Sequence, residues 1–276
     1  MSDHCQRFEL GDVTLAVERT GAGAPVFVLH GFTGDADSMR GIGEALGSHF
    51  EVLFVELVGH GRSDAPRALP SYSMPACVDQ LVRLGDALGI SRAHWLGYSM
   101  GGRAALSLAA AAPERVASLL LVGASAGLSD PEVRRERIAS DEALADRIER
   151  EGLEAFVDHW MGLPLFASQK RLGSEVLECA RAQRLRNREH GLANSLRGMG
   201  SGAMTPLQDR LATLDVPVAL VVGDEDAKFR AIAADLAARL PRARIELVAE
   251  AGHAAHLEQP DAFAAIARRF FHGIPL

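Results

Sequence analysis

With 276 residues, 48% of them hydrophobic and 24% charged, the chain has the balance of a globular protein and the length to bury a large core without disulfides or metal. A formal net charge of −7 speaks against a nucleic-acid or anionic-membrane surface. No apolar run reaches the roughly 18 residues of a spanning helix, and residues 1–8 lack an export signal's basic and then apolar pattern, so a soluble, unexported protein is expected.

Residues 13–18 alternate apolar and polar side chains, the pattern of a half-buried antiparallel strand. Gly21 to Pro25 turns the chain into Val26–Leu29, an apolar run of buried-strand type. A glycine-rich loop and an amphipathic stretch over about 38–48 follow. Val52–Val55 reads as a second buried strand and 74–89 as a helix stopped by Gly89. His94–Tyr98 is a third strand, leading into a helix from Met100 to about Ala112 that Pro113 ends. Leu119–Val122 is a fourth. Strands and helices alternating at this spacing imply a parallel sheet with helices on both faces.

From about Gly127 to Leu211 no strand-like run occurs and the pattern is helical and rich in charge. Val216–Val222 then resumes the buried-strand pattern, followed by a helix over about 228–240, a strand over 244–249 and a last helix over 257–271. The economical organisation is one α/β core, residues 1–126 and 212–276, carrying a helical cap of residues 127–211.

Cys5, Cys77 and Cys179 are odd in number, scattered and without metal-ligand spacing, so reduced thiols and a cytoplasmic location are expected. Gly97-Tyr-Ser-Met-Gly101 is a G-x-S-x-G pattern between an apparent strand and an apparent helix. That context makes Ser99 a candidate nucleophile on a strained turn, with small residues where larger ones would clash. A serine hydroxyl needs a group to take its proton. Asp226 follows the strand ending at Val222, and His253 follows the strand ending near Ala249. Serine, then acid, then histidine is the chain order used when such a site is built on strand ends. Asp224 shares that loop. His256 lies three residues beyond His253, but no further ligand is spaced to complete a metal site. Backbone N–H groups of Met100, at a helix start, and Phe32, at a strand end, are candidates for an oxyanion hole. His60 is read as bracing its loop.

These stretches resemble the α/β-hydrolase superfamily over the whole length. Within it they are similar to the MenH-type enzymes of menaquinone synthesis, the 2-succinyl-6-hydroxy-2,4-cyclohexadiene-1-carboxylate (SHCHC) synthases. His30-Gly-Phe-Thr-Gly34, Gly97-Tyr-Ser-Met-Gly-Gly-Arg103, Leu165-Phe-Ala-Ser168, Ser195-Leu-Arg-Gly-Met-Gly-Ser-Gly202, Gly223-Asp-Glu-Asp-Ala-Lys-Phe-Arg230 and Ala251-Gly-His253 carry the likeness. The first and last are widespread in the superfamily, and the others are more selective. Of Asp224 and Asp226, the latter is preferred on the resemblance to the α/β-hydrolase superfamily, which implies an acid three residues past Gly223. The resemblance implies a mostly parallel twisted sheet flanked by helices, with the cap inserted after the sixth strand. It also implies elimination of pyruvate from an enolpyruvyl ether bearing three carboxylates, without cofactor or metal.

A trianion calls for fixed, bidentate positive charge, which arginine supplies better than lysine. Residues 127–211 hold thirteen of the chain's twenty-nine Lys and Arg residues, but also fourteen acids, so surface solvation accounts for most of them. Arg103 stands out on the elbow helix, one turn after Ser99. By resemblance Arg137 and Arg184 are the cap arginines that bind substrate carboxylates, with Arg181 or Arg186 as substitutes for the last. Trp160 and Tyr98 match pocket residues of the family. The chain departs from many relatives at Ser38, where they carry tryptophan, and at Glu56-Leu-Val-Gly-His60, where Asp-Leu-Pro-Gly-His is commoner.

A carboxylesterase or a C–C bond hydrolase would use the same triad. Both usually lack an arginine at 103 beside two cap arginines. Haloalkane dehalogenation would need a carboxylate where Ser99 stands, and a non-catalytic sensor would not need the triad.

Overall fold

The computed structural model describes residues 5–276. Eight strands form one sheet in the order β1-β2-β4-β3-β5-β6-β7-β8. They are β1 (Cys5–Glu9), β2 (Thr14–Gly21), β3 (Ala24–Leu29), β4 (Phe50–Glu56), β5 (Ala93–Tyr98), β6 (Val116–Val122), β7 (Val218–Gly223) and β8 (Ala243–Val248). β1 and β2 pair antiparallel, β2 runs antiparallel to β4, and all remaining pairings are parallel. The chain order reverses around β3, which lies between β4 and β5. The carboxyl ends of β3 and β5 therefore flank a switch point, where open α/β sheets leave a crevice.

The period-2 alternation of the central strands decides which helices cover which face. Phe27, Leu29, Leu53, Val55, Trp95, Leu119 and Leu121 point to one side. There they meet α2 (Met74–Ala87), α3 (Met100–Ala111) and α8 (Ala227–Arg239). Val26, Val28, Val52, Phe54, Leu96, Leu120 and Val122 point to the other side, against α1 (Arg40–Leu46) and α10 (Pro260–His272).

Between β6 and β7 the described chain forms α4 (Pro131–Glu151), α5 (Leu153–Met161), a 3-10 stretch (Pro164–Leu172), α6 (Ser174–Arg184) and α7 (Glu189–Met199). α4 starts at Asp130, whose side chain accepts from the N–H groups of Glu132 and Val133, and it ends at Gly152 with φ +84°. These helices bury their own apolar cluster, including Ala145, Ile148, Phe156, Leu192 and Leu196. Arg197 on α7 reaches Glu142, Asp146 and Glu149 on α4 at 2.8–2.9 Å.

Two elements depart from expectation. β1 is an edge strand whose side chains are mostly exposed, so no apolar alternation in the sequence marks it. The last helix is broken into α9 (Ala255–Glu258) and α10, because Pro260 has no N–H to continue the ladder and its ring disfavours helix at Gln259. Among the described residues no helix is long and apolar enough to cross a membrane.

Three histidines, His30, His60 and His94, sit inside the core as neutral rings, and His256 lies half-buried against Tyr98. Burial lowers His94 to about 4, and His60 and His256 to about 3, and pushes His30 down as well. His30 shows how a neutral ring serves the fold: Nε2 accepts from Leu57 N at 3.0 Å while Nδ1 donates to the Gly31 carbonyl at 2.8 Å. The unfolded chain binds protons at these rings below about pH 6.5, whereas the native state resists until far lower. Stability should therefore fall as pH drops from 6.5 towards 4.5, by up to about 1.4 kcal/mol per pH unit for each ring. Urea midpoints at pH 7 and pH 5 test this. Equal midpoints would mean that the rings titrate in the native state as they do in the unfolded chain.

Candidate active site

Ser99 links β5 to α3 with φ +51° and ψ −104°, a conformation non-glycine residues seldom adopt. Its N–H donates to the Val122 carbonyl at 2.8 Å, and Arg103 N closes the first turn of α3 on the Ser99 carbonyl at 3.0 Å. The turn packs so tightly against β3 that a Cβ at Gly101 would collide with the Leu29 and His30 carbonyls. The small residues of the pattern are thus a steric requirement.

His253 follows β8, and Asp226 follows β7 as the N-cap of α8. His253 Nε2 accepts from Ser99 Oγ at 3.2 Å, and its Nδ1 donates to Asp226 Oδ2 at 2.9 Å. The other Asp226 oxygen accepts from Phe229 N at 3.1 Å. Burial opposes ionisation of Asp226, but the His253 and Phe229 hydrogen bonds outweigh it and hold the carboxyl below its usual range. Asp224 is turned elsewhere, accepting from Ala251 N at 3.3 Å. Gly123 makes room for the imidazole: a Cβ there would lie 2.7 Å from His253 Cε1. Glu258 anchors the histidine loop by accepting from Gly252 N at 2.9 Å and Ala254 N at 3.2 Å, on either side of His253. No motif in the sequence marked Glu258.

Ser99 and His253 open on a cavity of about 780 Å³, with Asp226 behind the imidazole. Phe32, Tyr98, Met100, Arg103, Arg137 and Trp160 also line it. Among the described residues, neither the Phe32 nor the Met100 N–H has a hydrogen-bond partner in the protein. Trp160 packs edge-on to Phe32 at 5.2 Å, and its indole N–H is buried without an acceptor. Tyr98 stacks at an angle between His253 and His256, and burial raises its phenol. His60 lies under Phe32, its Nδ1 bonded to the Val58 carbonyl at 3.1 Å.

Arg103 donates to the Met199 carbonyl and has no carboxylate partner among the described residues. Burial, with the nearby Arg137 charge, lowers it to about 10, so it stays charged at neutral pH. Arg137 binds Asp141 at 2.8 Å. Asp141 is itself buried, which raises its carboxyl, and its Oδ2 has no partner. The i,i+4 spacing of Arg137 and Asp141 on a helix was the available signal for this pair. Lys228 also lines the cavity, as do the acids Glu136 and Asp235.

Arg184 does not line this cavity. Its Nη1 donates to the Ala180 carbonyl at 2.8 Å, its Nε is buried without a partner, and its charge is close enough to act on Tyr98. Arg181 is taken up by Asp158 and Glu154 at 2.6 and 2.8 Å. Arg186 is held by Asp35 and Asp37 at 2.7 and 2.6 Å. Ser38 closes a turn on the Asp35 carbonyl, and Glu56 is a buried partner of Arg62. Neither departure from the commoner pattern touches the cavity.

Residues 24–260 match the family described as the alpha/beta hydrolase fold. An SHCHC synthase of Klebsiella pneumoniae is 36% identical over 255 residues, covering 92% of this chain and 96% of the relative. A Bacillus subtilis protein that carries the same name provisionally is 44% identical over 260 residues, 94% of each chain. The solved structure of MenH from S. aureus superposes with a TM-score of 0.89 at 30% identity, covering 93% of this chain and 98% of that one. With its fold, strand-end constellation and near full-length likeness to these proteins, the chain belongs to the α/β-hydrolase family and, within it, to the SHCHC synthases.

Proposed function

We propose that this protein eliminates pyruvate from 2-succinyl-5-enolpyruvyl-6-hydroxy-3-cyclohexene-1-carboxylate, a small-molecule polycarboxylate, as a cytoplasmic enzyme of menaquinone biosynthesis. The reaction takes place beneath a cap of residues 127–211 set on a core of residues 1–126 and 212–276. Arg103 carries the reading. A half-buried guanidinium without a carboxylate, on the wall of the cavity that holds Ser99, is costly unless an anion completes it. An ester pocket has no use for it.

In this mechanism His253 takes the Ser99 proton, and Ser99 Oγ removes the ring proton next to the succinyl ketone. Asp226 fixes the imidazole tautomer and stabilises the imidazolium. The enolate oxygen receives the N–H groups of Phe32 and Met100. When the enolate collapses, the ring C–O bond breaks, and the departing enol of pyruvate takes its proton from His253. Every step is a proton transfer or a C–O cleavage that these groups can carry. Arg103 and Arg137 hold two carboxylates. Arg184, which does not line the cavity, is left to act on the third through its charge beside Tyr98, since Arg181 and Arg186 are committed to acids. Tyr98 and Trp160 bound the pocket and offer it an O–H and an N–H.

Ser99→Ala and His253→Ala should each lower kcat at least roughly a thousandfold, with far less than additive loss in the double variant. Asp226→Asn should be impaired and Asp224→Asn should not. The acid assignment is wrong if the last two come out reversed.

The clamp and the reaction class are tested together. Arg103→Ala and Arg137→Ala should each cost roughly 1.5–3 kcal/mol of transition-state stabilisation, the range for a lost charge-assisted bond. Lysine should restore only part of it. Arg150→Ala, at an exposed site paired with Glu151, should leave turnover unchanged. Neutral p-nitrophenyl esters should be poor substrates, with kcat/KM at least about a hundredfold below that for pyruvate release, because they leave the guanidinium groups unpaired. Added salt should raise KM for the tricarboxylate only. Better turnover of the neutral esters, insensitive to salt, would replace the synthase reading by an esterase.

A further inference from the structure

The oxyanion side of the site rests on a loop with an unfavourable shape. Thr33, directly after Phe32, is β-branched, fully buried and held at φ +68°, where such residues are outliers. Its hydroxyl is buried without a hydrogen-bond partner. Within the loop the compensating backbone bond is a single one, Gly34 N to the Gly31 carbonyl at 3.0 Å. What grips Thr33 is its own carbonyl, which accepts from Gln183 Nε2 at 3.1 Å and Asn187 Nδ2 at 3.0 Å. Both amides are buried, at 6% exposure, and both come from the 127–211 segment, at the end of α6 and just after it. Asn187 does more: its Oδ1 accepts from Gly61 N at 3.0 Å. One side chain thus joins the loop after β3, the loop after β4 and the end of α6. A carbonyl with both lone pairs used by buried donors is held in direction as well as in place.

We infer that Gln183 and Asn187 are positioning residues for the reaction. By holding the Thr33 carbonyl they keep the loop of residues 31–34 in the strained form that presents the Phe32 N–H to the oxygen gaining charge. The inference rests on the reading of that N–H as an oxyanion donor. The amides touch no reacting atom and act only through the loop. Without them the Thr33 backbone has reason to relax out of the left-handed region, and the Phe32 peptide moves with it.

Gln183→Met removes one donor at similar volume. Asn187→Asp removes the other while keeping the acceptor for Gly61, so neither change empties the site. Each variant, quantified as folded protein from its unfolding curve, is assayed for pyruvate release. It is also assayed for the rate at which a fluorophosphonate labels Ser99. In that labelling the Ser99 Oγ–P bond forms, fluoride leaves, His253 takes the serine proton and the phosphoryl oxygen gains charge in the same hole. Full loss of an oxyanion donor costs about 10²–10³ in kcat, so a displaced donor should cost about 10–100-fold. KM should stay within about threefold, because the loop carries none of the arginines, and labelling should slow by a factor similar to that in kcat. Normal kcat and normal labelling per folded molecule would overturn the inference. A rise in KM with kcat and labelling unchanged would also do so, leaving the amides only the placement of neighbouring Arg184. If the native protein releases no pyruvate, the elimination reading fails, and the labelling rates alone decide this one.

Discussion

The strained turn at Ser99 is the constraint around which the rest of the molecule is arranged. A serine at φ +51° is tolerated only because its surroundings leave no alternative. β5 lies between β3 and β6, Val122 accepts the Ser99 N–H, and the carbonyls at the end of β3 press against Gly101. Sheet order then supplies the partners. β7 and β8 end on the same edge, and their loops deliver Asp226 and His253 to a hydroxyl already fixed in space.

Electrostatics shapes the space above that turn. Arg103 and Arg137 are two partly exposed guanidinium groups standing close together, an arrangement their mutual repulsion disfavours. Asp141 offsets part of this, bonded to Arg137 and near Arg103, while its own burial raises its carboxyl. One carboxylate between two guanidinium groups cannot pair with both. It also leaves Arg103 with only a carbonyl and a distant sulfur at 3.9 Å for company. In the proposed reaction a substrate carboxylate would meet there a partner already oriented by the Met199 carbonyl, which is the condition for binding charge without a large reorganisation.

What could be read in the sequence and what could not divide along physical lines. Ser99, Asp226 and His253 each sit within a few residues of a strand end, so local patterns located them. The buried strands were legible because both of their faces are covered and their residues are correspondingly apolar. β1 was not, since an edge strand with exposed side chains carries no such signal. The break before α10 had its signal in Pro260, but the apolar periodicity runs through it. Gln183, Asn187 and Glu258 were beyond reach for a different reason. Gln183 and Asn187 matter through bonds to residues some 150 positions away, and Glu258 matters through two N–H groups around a tight loop. Nothing in their immediate neighbours announces such partners. The arginines fall between these cases. Arg103 is placed by helical spacing from Ser99, whereas the choice among Arg181, Arg184 and Arg186 depends on which carboxylates the fold brings near.

The same contacts constrain how the 127–211 segment can behave. Its helices share an apolar cluster of their own and in that sense form a unit. Yet residues 183–188 are fastened to the core at several points. Arg186 binds Asp35 and Asp37, Arg188 donates to the Gly61 and Ser63 carbonyls, and the two amides hold Thr33. A motion that lifted this corner would release the loop carrying Phe32 and so unmake the site it was opening. A passage for substrate that leaves those contacts whole has to use other parts of the cavity lining. Val133, Glu136 and Leu128 of the 127–211 segment and Lys228 and Ile232 of α8 also line the cavity, and none of them takes part in the contacts that hold the Thr33 loop. The contacts at Thr33 thus tie residues 183–188 and the loop carrying Phe32 into one mechanical element.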